Sequence, residues 1–219
     1  MKSSFVKLWA TRLILLLVGL SIAHLGVTLF LLADLGSDPF NVLIQGLHRF
    51  LPLPEAITHG TIHIIVSLLI IVVLLFVDRS YIRIGTVVCM FIGGPIIDVF
   101  TLLLQGILNS SSSMWLRIPA LALGCVILAF GMTIVMNSEA GTGANDLVAI
   151  VISDKSKVKF GIMRVIVDVA FAGIGFLLGG TLGIGTVICA FLVGPAAQIF
   201  LPINKKLCRH FLDKQEVSQ

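Results

Sequence analysis

The chain has 219 residues, of which 58% are hydrophobic and only 12% are charged, with a formal net charge of +4. Soluble domains carry roughly a quarter charged residues, so a soluble globule is excluded: too few charges remain to cover its surface. The positive charge lies in short clusters, Lys2, Lys7 and Arg12 at one end and Lys205, Lys206 and Arg209 at the other, unlike the broad basic surface that a nucleic-acid partner requires.

Six long apolar segments follow in chain order, at about 13–33, 59–77, 84–104, 116–136, 161–178 and 184–201. Each approaches the roughly 20 residues needed to cross hydrocarbon. An all-α, polytopic membrane helix bundle is expected, as one membrane domain over 1–219. The first segment is too long for a signal peptide and lacks a small-residue cleavage site, so it reads as a retained helix.

The link after the first segment, LGSDPFNVLIQGLHRF, holds a further candidate helix at 40–51. Twelve residues reach about 18 Å at 1.5 Å per residue, against a hydrocarbon core of about 30 Å. The same holds for 145–153 after the fourth segment. Both read as short re-entrant or interfacial helices. If both crossed instead, there would be eight spans and parallel repeats; segment length favours six.

The chain is written twice. Residues 84–100 read IGTVVCMFIGGPIIDVF and 184–200 read IGTVICAFLVGPAAQIF. Upstream, Gly19, Gly26, Thr28 and Gly36 recur as Gly124, Gly131, Thr133 and Gly141. Repeat 1 spans about 12–105 and repeat 2 about 116–202. Three crossings per repeat is an odd number, so the second repeat is expected upside down relative to the first, with a site between them. Arg79, Arg83, Lys155, Lys157, Lys159 and the terminal clusters then share one side, which the positive-inside tendency makes cytoplasmic, with both termini. Arg49 and Arg117 fall on the other side.

Candidate site residues cluster at three places. Gly36, Ser37, Asp38, Pro39 and Asn41 read as a helix start, with Ser or Asp as cap and Pro in the first turn. Gly141, Thr142, Gly143, Asn145 and Asp146 form the matching junction. Helix starts at membrane depth aim unpaired N–H groups at whatever sits there; the bland alternative is a surface turn before an interfacial helix. Next come two expected helix breaks, Gly94-Pro95 and Gly194-Pro195, where proline frees a carbonyl for a cation or polar solute; a packing kink is the alternative. Third are ionisable groups inside apolar segments, which tend to face a bundle interior or a water-filled cavity. Asp98 has no obvious local partner and ranks first. Asp168 has Arg164 one turn earlier and reads equally well as half of a structural pair. His24 and His63 read as structural histidines.

The four cysteines show no metal or disulfide spacing; Cys89, Cys125 and Cys189 read as packing residues inside apolar runs. Gly175 and Gly179 mark a candidate helix-packing or dimer face. No metal cluster, nucleophile–base pair or phosphate loop is visible, so neither enzyme activity nor a cofactor is expected.

At the residues LADLGSDPFNVLIQGL and IRIGTVVCMFIGGPIIDVF the chain resembles the bacterial YczE/YyaS-type membrane proteins, themselves distantly similar to the YitT group. Gly36, Pro39, Phe40, Asn41 and Val42 match the family's junction, and Gly85, Thr86 and Asp98 its following helix. Asn41 stands where many relatives carry Asp. The resemblance runs from Arg12 to about Pro202. It implies a multi-pass protein of the bacterial inner membrane and supplies no substrate. The leading functional expectation is passage of a small polar solute or ion by a transporter or channel. The alternatives are a membrane accessory protein that docks a partner, or a substrate-capture subunit working with a separate module.

Overall fold

The structure is a computed structural model that describes residues 2–36, 38–51 and 59–216. Among the described residues it is entirely helical: α1 (Lys2–Ala33), α2 (Pro39–Phe50), α3 (His59–Val77), α4 (Ile84–Leu104), α5 (Met114–Asn137), α6 (Ala144–Ser156), α7 (Phe160–Leu177) and α8 (Ile184–Glu216), with a 3-10 turn at Arg79–Tyr81. Helices are what an apolar chain must form in lipid, because no water is there to satisfy a stray backbone N–H or C=O. Within these helices, Val6–Ala33, Ile84–Leu104, Met114–Asn137, Phe160–Leu177 and Ile184–Asp213 are long and apolar enough to cross a membrane, while Thr61–Val77 is a shorter apolar helix. Large apolar side chains such as Phe76, Phe91, Leu102 and Leu177 cover the outside. This is an integral membrane protein whose surface meets lipid.

Two expectations are corrected. Gly94-Pro95 and Gly194-Pro195 do not break their helices: α4 and α8 run through them. Proline removes one rung of the ladder, and the turns on either side keep theirs. The last helix does not stop near 201 but continues to Glu216, carrying Lys205, Lys206 and Arg209 on its final turns.

The centre is the pair α1 and α5, the most extensive contact in the molecule. The helices run antiparallel, since Gly19 meets Ile134 and Val135 while Gly26 meets Gly124 and Leu128. Small residues let the backbones touch. A Cβ added at Gly26 would lie 2.5 Å from Gly124 O, and one at Gly131 would lie 2.6 Å from Gly19 O. These contacts are exchanged: shifting each residue by the repeat offset turns one into the other.

The exchange extends outward. Gly185 N–H donates to Leu35 O at 2.8 Å, and Gly85 N–H donates to Ala140 O at 2.8 Å. Arg117 pairs with Asp34 and Arg12 with Glu139. Asp34 and Glu139 both have positive φ, 49° and 59°, and Gly36 and Gly141 both have φ of 136°, a backbone region open to glycine and closed to most side chains. Each junction therefore docks on the first turn of the other repeat's last helix.

Within the repeats, α4 runs parallel to α1, with Gly93 facing His24 and Gly85 facing Leu16. Helix α8 likewise runs parallel to α5: Gly185 faces Leu121 and Asn204 donates to Phe130 O. The main apolar core lies among α1, α5, α7 and α8 and includes Phe30, Leu121, Cys125, Met132, Met163, Val167, Cys189 and Val193. Helix α2 crosses α7, where Gly175 gives room to Val42 and Leu43.

Candidate functional site

The two junctions are built from equivalent sequence but end differently. At the start of α2, Asp38 caps the helix: Asn41 N–H donates to its Oδ1 at 3.2 Å, and Asn41 Nδ2 donates to Oδ2 at 2.5 Å. Pro39 occupies the first turn, where its missing N–H costs nothing. At the start of α6 the equivalent of Asp38 is Gly143, which offers no side-chain cap. The first-turn carboxylate of α6, Asp146, turns to another helix instead.

That partner is Arg164 of α7. Its Nη1 donates to Asp146 Oδ1 at 2.5 Å and its Nε donates to Asp168 Oδ2 at 2.9 Å. The Arg164 side chain is 8% exposed and that of Asp168 2%. One planar guanidinium is thus forked between two carboxylates, a geometry that suits Arg and not Lys. As an ion triad it carries one formal negative charge in excess. Charge this deep in an apolar bundle persists only when paired or hydrated.

Other polar groups share the region. His24 on α1 binds Leu20 O through Nδ1 at 2.7 Å and lies within electrostatic reach of Asp146. The His63 ring stands edge-on to Phe40, with centroids 5.2 Å apart, and Phe40 also meets Phe171 of α7. Asp146 reaches α7 directly, whereas Asp38 bonds to Asn41 at its own helix start. The hydroxyls of Thr86 and Thr142, in buried residues, have no hydrogen-bond partner among the described residues.

The candidate residues separate clearly. Asp146 and Asp168 join Arg164 in the triad, Asp38 and Asn41 bond to each other at the start of α2, and Thr142 is buried at the α5–α6 junction. Asn145 is half-buried in the first turn of α6. Gly36 and Gly141 press against the opposite repeat: a Cβ at Gly36 would lie 2.8 Å from Gly183 Cα, and one at Gly141 2.5 Å from Thr86 N. Ser37 lies outside the described residues. Asp98 is on the exposed side of α4, away from the triad. Pro95 and Pro195 are exposed as well, and the carbonyls they free, those of Phe91 and Phe191 four residues earlier, belong to residues on the same outward face. Gly194 is buried against Gly161, whereas a Cβ at Gly94 would meet nothing within 4 Å. Gly175 serves packing within the chain, against α2, and Gly179 O accepts from Arg49 at 2.7 Å.

The i, i+4 spacing of Arg164 and Asp168 signals their pairing. The third member, Asp146, is 18 residues away and carries no such signal. Asn204 also escapes sequence reasoning: it is fully buried and donates to Phe130 O at 3.0 Å and Thr133 Oγ1 at 2.7 Å, tying α8 to α5.

Known proteins are similar in sequence to nearly the whole of this chain. "Uncharacterized protein YyaS" of Bacillus subtilis is 25% identical over 197 residues, covering 90% of this chain and 94% of its own. An "Uncharacterized protein" of Haemophilus influenzae is 27% identical over 204 residues, with 92% and 89% covered. "Uncharacterized membrane protein YczE" of Bacillus subtilis is 25% identical over 211 residues, with 96% and 93% covered. No solved structure matches. Residues 10–202 match the family of unknown function DUF6198, and the chain belongs to that family.

Proposed function

We propose that the protein passes a small polar solute or ion across the bacterial inner membrane, through a site between two inverted repeats. The observation that carries the polar site is the Asp146–Arg164–Asp168 triad of repeat 2, held inside an apolar bundle with Asp146 in the first turn of α6; the junctions that dock each on the other repeat's last helix support a place between the repeats. A triad kept only for stability would be a poor bargain, since a buried ion network often contributes no more than well-packed apolar residues of the same volume. Ionisable groups at such depth are a mark of ion and solute pathways.

Helix direction supports the membrane arrangement. Helices α1 and α4 run the same way, so an odd number of crossings separates them; α3 crosses and α2 turns back. Were α2 to cross as well, α4 would oppose α1. Helices α1 and α5 run opposite ways, as two upside-down copies require. The basic residues Arg79, Arg83, Lys155, Lys157 and Lys159 then sit on the side of both termini, which is cytoplasmic. Asp168, Arg164 and Asp146 are the solute- or ion-binding groups, Asp38 and Asn41 shape the opposite wall, and rocking of one repeat against the other exposes them alternately.

The test begins with access. All four native cysteines are buried, which leaves a low thiol background. Asn41→Cys and Asn145→Cys occupy half-buried positions and react with membrane-impermeant thiol reagents if water reaches the site. Both staying inert from either side of the membrane would end the proposal. A thermal-shift screen of purified protein against ions and small metabolites then identifies the ligand, because binding to the folded form alone raises apparent stability.

A further inference from the structure

Among the described residues two contacts of repeat 2 lack a packed counterpart in repeat 1: α8 against α1, which would correspond to α4 against α5, and α7 against α8, which would correspond to α3 against α4. Helices α7 and α8 touch through glycine backbones: a Cβ at Gly194 would lie 2.5 Å from Gly161 O. Gly161 N–H, in the first turn of α7, donates to Gln198 Oε1 at 2.9 Å. Gln198 thereby caps α7, whose own N-cap residue Lys159 makes no side-chain cap bond. Among the described residues the counterpart face on α4 is open. A Cβ at Gly94 would meet nothing within 4 Å. Asp98, at the position of Gln198, is exposed. Ile64 of α3, at the position of Val165, is 52% exposed, and among the described residues α3 forms no packed interface with α4. On another side of α3 an apolar groove of about 610 Å³ runs between it and part of α6.

We propose that α3 has a second seat, the Gly94–Asp98 face of α4, and that the protein alternates between α7 seated with α3 lifted and α3 seated with α7 lifted. In the second state the Asp98 carboxylate accepts the N–H at Gly60, the counterpart of Gly161. A carboxylate suits that place better than the amide of Gln198 does, since it complements the positive end of the α3 dipole. The seat also covers a carboxylate that hydrocarbon would otherwise face. The two-seat exchange stands on the mismatch between repeats. Its role as the gate of the triad rests on the transport reading: the α3–α4 gap opens one side of the bundle and the α7–α8 gap the other.

The experiment is a thiol cross-link in native membranes on the full chain. Gly94→Cys enters open space and Ile64→Cys an exposed position, so both fold; each single-cysteine variant must react with maleimide as a control. The double variant is expected to form an intramolecular disulfide. Asp98→Ala lowers the yield about tenfold, the effect of losing one hydrogen bond to a charged group, and Asp98→Gln, the repeat 2 solution, restores it. No cross-link in reactive double variants overturns the proposal. So does a cross-link only between copies, which makes this face of α4 a contact between two chains. A cross-link that forms and responds to Asp98, in a protein whose Asn41→Cys and Asn145→Cys remain inert, removes the gate and the transport reading and leaves the two-seat exchange standing.

Discussion

Helices α4 and α8 share a sequence pattern and live in different surroundings. In their most apolar stretches 44% of α8 residues are buried and 11% of α4 residues. Among the described residues α8 packs mainly on α1, α5 and α7, and α4 on α1; the helices that precede them differ as well. Helix α7 carries Gly175, which lets the α2 backbone settle against it. Helix α3 carries Leu74 at that place, which packs on Leu147 and Val151 of α6 through side chains. Backbone contact through glycine brings helices close, and leucine holds them apart. One repeat is therefore closed and the other is open, although both descend from the same pattern. Duplicated sequence specifies equivalent contacts and leaves room for unequal spacing.

The sharpest break of this comparison is at the closed repeat's charge centre. Arg164→Ala leaves Asp146 and Asp168 buried without a cation and should cost about 3–5 kcal/mol, read as loss of monodisperse protein on heating in detergent. Next is the glycine pair. Gly194→Ala drives a Cβ toward Gly161 O and should cost about 1–3 kcal/mol, whereas Gly94→Ala should stay within about 0.5 kcal/mol; equal losses would mean that α4 and α8 are equally packed. Gln198→Ala removes the bond from Gly161 N–H and should lower stability by about 1 kcal/mol. Breaking the exposed pair with Arg12→Gln should cost between about 0 and 1 kcal/mol.

The smallest effect is a pH dependence at the α3–α4 loop. Hydrogen bonds from Ser80 hold the Asp78 carboxyl below its ordinary value. A depressed carboxylate contributes stability above its unfolded pKa, and that contribution is lost as pH falls through the folded value. Asp78→Asn should flatten the acid side of the melting profile slightly, and an unchanged profile would show that the loop bonds carry no linkage.

Much of the scaffold was legible in the sequence because lipid leaves so few choices. Apolar runs of the right length become helices. The matched glycines Gly19, Gly26, Gly124 and Gly131 marked the duplication, and Gly36 and Gly141 the two junctions; the structure puts the first four in the central crossing and the other two at positive φ. Arg164 and Asp168 were legible as a pair because a helix brings residues four apart onto one face. The directions of Asp98, Pro95 and Pro195 were not. In water, polarity marks the outer face of a helix, but in lipid the outer face and the core reward the same side chains.

The sequence by itself determined that the chain enters a membrane as helices, that it is doubled, and where its turns fall, because these depend on hydropathy, repeat offset and local backbone geometry. Tertiary structure alone decided that Asp146 joins Arg164 from another helix, that Asp98 faces outward, and that one repeat closes while its twin stays open. Those outcomes depend on which faces of uniformly apolar helices meet, and no local pattern encodes that choice.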